Sequence, residues 1–126
     1  MLGGCEEPVG VVFSNQISET QRNYITKNKI LNENEKILAY YDVTIFLDNS
    51  EAAILTDERV VYHKYNRNYS FHYADIKNVD HQTEFLIGDI ITIENFSGEL
   101  MKIEIAPLNG GDLFLDLLLK KTGDIK

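Results

Sequence analysis

From Lys36 onward the hydrophobic pattern has a period of two. Ile37, Ala39, Tyr41, Val43, Ile45 and Leu47 fall on odd positions with Asp42 and Thr44 between them, which predicts one strand over 37–47 with a single buried face. Leu38, Tyr40 and Phe46 then face away from the core. The cluster Asp48-Asn49-Ser50 marks a turn. Further strand signals run over 51–56, 59–65, 69–73 and 76–85, and Asn66-Arg67-Asn68 turns one strand back on the next. Residues 89–105 read as a hairpin in which Ile91, Ile93, Met101, Ile103 and Ile105 share one face. Thr92, Glu94, Lys102 and Glu104 share the other. A loop of Phe96, Ser97 and Gly98 sets Ile93 opposite Met101 and Ile91 opposite Ile103, and it puts glycine where such loops need a left-handed residue.

Two segments change to helical spacing. Ser18-Glu19-Thr20-Gln21 fits a capping box, with Tyr24, Ile25, Ile30 and Leu31 behind it, which predicts a helix over 19–30. Asn32 to Glu35 is a polar break. Near the end Pro107 stops the strand, Asn109 is a candidate cap, and Asp112 suits the positive end of a helix dipole. Leu113, Phe114, Leu117 and Leu118 form the expected buried stripe, Lys120 and Lys121 suit the C-terminal end, and Gly123 terminates the helix. About seven short antiparallel strands followed by one amphipathic helix describe a mainly β fold, a small barrel closed by that helix. Leu115 and Leu119 lie outside the stripe. Together with Leu38, Tyr40 and Phe46 they leave two readings open. Either the surplus is covered, because residues 9–31 fold back over these groups or a wide stripe lies deep in the core, or these side chains form a self-association or partner surface.

Composition narrows the function. The chain has 126 residues, 44% of them apolar, enough for one domain with a real core. Twelve basic and twenty acidic residues give a net charge of −8, which argues against nucleic-acid binding and against an electrostatic grip on anionic lipid. One cysteine excludes an intrachain disulfide. No run approaches the ~18–20 apolar residues of a transmembrane helix, and the expected location is cytoplasmic. Leu2-Gly3-Gly4-Cys5 resembles the end of a bacterial lipoprotein signal, although only Met1 precedes it here. An untethered terminus with a free thiol is one reading. The other is a lipid-anchored envelope protein with Cys5 as the modified residue.

The stretch Ile54-Leu55-Thr56-Asp57-Glu58-Arg59-Val60-Val61-Tyr62, followed by Phe71-His72-Tyr73-Ala74-Asp75-Ile76, resembles bacterial pleckstrin-homology-like domains. Asn32-Glu33-Asn34-Glu35-Lys36-Ile37 is similar to the opening of the same domains. The likeness covers about 32–122 and implies a PH-like domain over 32–126, preceded by an N-terminal extension over 1–31. Pleckstrin-homology domains that bind phosphoinositides crowd lysine and arginine into the first inter-strand loop. Here that loop reads Asp48-Asn49-Ser50-Glu51, so no phosphoinositide headgroup binding is expected, and a membrane is reached only through Cys5.

Candidate chemistry is sparse. His63, His72 and His81 recur every nine residues. A turn at Arg67-Asn68 would set His63 directly across from His72, which makes that pair the candidates for a shared metal ion, although no metal or other cofactor is expected. Arg59 is expected to pair with Asp57, Glu58 or another carboxylate. No nucleophile setting or phosphate loop is present, and Asp112 and Asp116 read as a solvated helix face. The expectation is a non-catalytic module that binds a protein partner or assembles with itself. A metal- or ligand-binding enzyme is the last alternative.

Overall fold

A computed structural model describes residues 8–123. Among these residues, eight strands form two antiparallel sheets. The first sheet has the order β1 (Val12–Phe13), β2 (Ile37–Asp42), β3 (Glu51–Thr56), β4 (Arg59–Lys64) and β5 (Arg67–His72). The second contains β6 (Ile76–Glu84), β7 (Gly88–Asn95) and β8 (Leu100–Ile105). Helix α1 (Glu19–Lys27) lies between β1 and β2, and α2 (Gly111–Thr122) follows β8. Among the described residues the sheets do not close: β5 pairs only with β4 and β8 only with β7. The expected closed barrel is therefore an open pair of sheets, with α2 packed on the core. No helix among the described residues is long and apolar enough to cross a membrane.

Strands β2, β3 and β4 of the first sheet are buried on both faces. Ala39, Tyr41, Ala53, Leu55, Val60 and Phe71 face the main core, where they meet Ile91, Ile93, Met101, Ile103 and Ile105 of the second sheet and Phe114 and Leu118 of α2. Tyr40, Ala52, Ile54 and Val61 face the other way, under Val12, Ile17, Ile25 and Ile30. Residues 9–31 do fold back over one member of the surplus, Tyr40. A strand covered on both sides loses its polar alternation, and the unbroken run Ala52-Ala53-Ile54-Leu55 shows it. Tyr40 is thus fully buried, which removes it from any partner surface.

Strand β2 ends at Asp42, not at 47. The Asp42 carboxylate accepts from the Thr44 amide at 2.9 Å and hydroxyl at 2.6 Å through Oδ1, and from the Asn49 amide at 3.0 Å through Oδ2. Those bonds satisfy local backbone groups in a turn that competes with the ladder. Val43 to Ser50 become a loop whose apolar residues only mimic strand alternation.

The helices follow their sequence signals with two adjustments. Ser18 and Gln21 form the reciprocal cap of α1, which ends at Lys27. Gly110, in the left-handed region, precedes α2, while Asn109 spends its side chain on Tyr41 instead of capping. Gly123 closes α2 as expected, at φ 78°. The buried line of α2 is Gly111, Phe114 and Leu118, so Leu113 lies exposed and Leu117 only half-buried. The helix is rotated relative to the expected stripe, and Leu115 gains core contact by the same rotation.

The β7–β8 hairpin matches its expected register, with Ile93 opposite Met101 and Ile91 opposite Ile103. Gly98 takes φ 88° in the loop. Strand β8 alternates perfectly between exposed and buried residues.

Candidate binding site

Two features of the first sheet organise the surface around its last strand. One is a clamp at the β3–β4 turn. Arg59 is paired neither with Asp57 nor with Glu58, but with Glu35, 24 residues earlier in the chain. Its Nε donates to Glu35 Oε2 at 2.8 Å and its Nη2 to Oε1 at 2.9 Å. Thr56 Oγ1 donates to Oε2 at 2.6 Å, the Asn32 amide donates to Oε1 at 3.0 Å, and Arg59 Nη1 reaches Ser70 Oγ at 3.0 Å. The Glu35 side chain is fully buried. Burial alone pushes its carboxyl upward, but the hydrogen bonds from Arg59, Thr56 and Asn32 and the guanidinium charge outweigh that and hold it below the ordinary range. The clamp joins the connection after α1 to β3, β4 and β5. The Leu-Thr-Asp-Glu-Arg motif is therefore packing chemistry, with Thr56 Oγ1 also accepting from the Glu58 and Arg59 amides at 3.0 Å each.

The second feature is a groove of about 240 Å³ between β5 and β8, lined by Tyr62, Tyr69, Phe71, Leu100, Met101, Glu99 and Lys102. Cross-strand pairing puts Tyr62 opposite Tyr69, so their side chains share one face. Phe71 and Met101 are members of the main core, while Tyr69 and Leu100 stand exposed above them. Here the core opens to solvent between two unpaired strand edges. Tyr62 donates its hydroxyl to Glu51, and burial followed by that carboxylate raises the phenol's pKa. It stays neutral, a fixed wall.

A model of the family described as bacterial PH domain matches residues 31–110. The chain belongs to this bacterial PH domain family. Its PH fold is similar to that of a DUF1696 family protein with a pleckstrin-homology domain from Shewanella loihica PV-4, whose crystal structure superposes with a TM-score of 0.60. That likeness covers 94% of this chain and 100% of the other at 9% identity, and it is a likeness of fold. No curated protein matches the chain.

The PH frame separates the histidines. The β4–β5 turn is Tyr65-Asn66, with Lys64 paired to Arg67, so His63 faces Asn68 and His72 faces Arg59. His72 lies four residues along β5 from the partner of His63, about 13 Å away, too far to share an ion. The expected turn was Asn66-Arg67-Asn68, and the shared-ion reading required a turn at Arg67-Asn68; the observed turn begins at Tyr65. His63 is buried, with Nδ1 at 2.7 Å from Asn68 Oδ1 and Nε2 at 3.0 Å from the Tyr24 hydroxyl. It ties α1 to the sheet, with both ring nitrogens engaged in hydrogen bonds. His81 pairs with Asp89 at 2.7 Å.

The expected partner residues do not form one surface. Tyr40 is in the inner layer, and Leu38, Leu115 and Leu119 are each half-buried. Leu115 packs against the main core. Phe46 alone among them is fully displayed, 87% exposed. Cys5 lies outside the described residues. Sequence reasoning missed the groove because its parts come from strands on two sheets, and it missed Glu35 because nothing marks that acid over Glu33.

Proposed function

We propose that this PH domain is a non-catalytic binding module that seats an extended segment of a protein partner in the groove between β5 and β8. The observation that carries this reading is the coincidence of two unpaired strand edges with an aromatic-lined opening into the core. An extended peptide satisfies backbone groups along an edge strand while its alternate side chains enter the pockets beside it. Tyr69 and Leu100 are the anchors on this reading, Lys102 and Glu99 the polar rim.

The test is a double change, Tyr69→Ser with Leu100→Asp, in the full chain. Affinity capture from the native cell is compared between wild type and variant, with circular dichroism to confirm folding. A protein retained by the wild type and lost by the folded variant supports the reading. Light scattering on the purified pair distinguishes the occupant, since a mass that falls to 14.4 kDa only in the variant identifies a second copy. Capture and mass both unchanged by the substitutions would sink the assignment of this groove.

A further inference from the structure

Strand parity carries charge into the groove between β5 and β8 as well as apolar side chains. Lys64 pairs with Arg67 as Tyr62 does with Tyr69 and Val60 with Phe71, so Lys64, Arg67, Tyr69 and Phe71 share the face turned toward the second sheet. The groove continues at each end into a further depression. Beyond Tyr69 lies one of about 380 Å³, lined by Lys64, Tyr65, Asn66 and Arg67. Beyond Phe71 and Glu99 lies another of about 360 Å³, with Asp75, Asn95 and Ser97 in its wall. Shared walls make the three one trough beside the unpaired edge of β5, which rises about 17 Å from Arg67 to His72.

The two ends offer a ligand opposite groups. Lys64 and Arg67 stand exposed at one end, outside every ion pair of the described residues. The carboxylates near them are already engaged within the fold. Glu51, opposite Lys64, accepts from the Tyr62 hydroxyl, Glu104 is held by Lys102 at 3.3 Å, and Asp48 accepts from the Ser50 amide and hydroxyl at 3.0 and 2.7 Å. At the other end Asp75 and Glu99 stand exposed, also outside any of those ion pairs. The Phe96 amide donates to the Asp75 carbonyl at 3.0 Å, which ties the β7–β8 loop to the chain just after β5 and keeps the two acids on one depression. The lysines next along the chain and the helix are employed elsewhere: Lys77 lines a hollow against the end of α2, and Lys121 sits 5.7 Å above the Tyr73 ring. The net charge of −8 lowers the potential at both ends, so direction comes from the difference between them.

We propose that the groove selects a partner segment by the order of its charges: a Lys or Arg first, apolar side chains at the second and fourth positions after it, and an Asp or Glu at the sixth, lying antiparallel to β5. The cation rests between Asp75 and Glu99, the apolar pair on Phe71, Tyr69 and Leu100, and the acid between Lys64 and Arg67. Alternate side chains of an added strand keep step with Phe71, Tyr69 and Arg67, which is why the four positions fall on one face. Antiparallel pairing, the commoner and stronger ladder, puts the basic end first. A segment of reversed order meets like charge at both ends, so the trough reads direction as well as composition. This order rests on the seating of a peptide in the groove and adds the chemistry of the partner to it.

Random peptides of about nine residues, enough to span the trough, are displayed and selected on the full chain and on Arg67→Glu with Asp75→Lys. Both substituted side chains are exposed, and the double change keeps the net charge at −8. Sequences that bind wild type but not the folded Tyr69→Ser, Leu100→Asp variant are those seated in the groove. Among them the expected order is basic first and acidic last on wild type, and the reverse on the charge-swapped variant. Exchanging the end charges of one selected peptide should weaken its binding to wild type about tenfold and strengthen its binding to the swapped variant, and raising salt to about 0.5 M should narrow both differences. Groove-dependent sequences with no charge order, or with the same order on both proteins, overturn this proposal and leave the groove assignment standing. An absence of groove-dependent sequences overturns both. A wild-type mass above 14.4 kDa that the charge swap lowers makes the occupant a second copy and overturns the proposal of a separate partner.

Discussion

The two sheets of this domain are built from similar strands but answer to different surroundings. The second sheet has one wet face, and β8 therefore alternates between Leu100, Lys102 and Glu104 outside and Met101, Ile103 and Ile105 inside. The first is dry on both faces across β2, β3 and β4 because residues 9–31 cover the side that the second sheet leaves free. Alternation records solvent on one face. Where a second layer replaces solvent, the code disappears although the pleat is unchanged.

That contrast is open to attack by substitution. The largest effect is expected in the shared core, where Leu118→Ala, fully buried against both sheets, should cost about 2–5 kcal/mol in chemical denaturation. A loss under about 1 kcal/mol would mean that α2 is a removable cover. The next effect belongs to the clamp. Glu35→Gln removes the charge partner of Arg59 and should cost about 3 kcal/mol at neutral pH, because it leaves a largely buried guanidinium short of its counter-charge. It should also change the acid response. The folded carboxyl titrates below its ordinary value of 4.5, so its contribution is complete above that pH and is lost as pH falls through the folded value. Wild type should therefore lose stability below about pH 4.5 more steeply than Glu35→Gln. Parallel acid limbs would show that other carboxylates carry the effect. The smallest expected effect separates the two outer layers. Tyr24→Phe leaves buried His63 Nε2 without a donor and should cost about 1–2 kcal/mol, whereas Thr83→Ala on the wet face of β6 should change stability by under about 0.5 kcal/mol.

How much the sequence disclosed follows the same division. The β7–β8 hairpin was legible to the residue, because parity and turn chemistry agree there. The α1 cap was legible because Ser18 and Gln21 act within one turn. Strand β2 was over-extended because Asp42 ends it through bonds to Thr44 and Asn49, a local competition that hydrophobic period does not register. Parity placed Tyr40 on the face away from the main core, and its cover by residues 9–31 was one of the readings left open. The Arg59 partner and the groove were illegible for one reason. Each depends on which segments the topology brings together, and spacing along the chain carries no trace of it.

Strand β6 has one more consequence. It is nine residues long, nearly all exposed, and its outer edge is unpaired. Such an edge is a template for another chain, and the danger is greatest at high concentration. Two copies pairing antiparallel about a two-fold axis normal to the sheet must set some residue opposite itself. Centring on Asp80 places two carboxylates about 5 Å apart, and centring on His81 stacks two imidazoles while Asn78 meets Glu84. Centring on Val79 sets Lys77 against His81. Every central register brings like groups together or leaves a charge without its opposite, so the strand carries its own protection against copying itself.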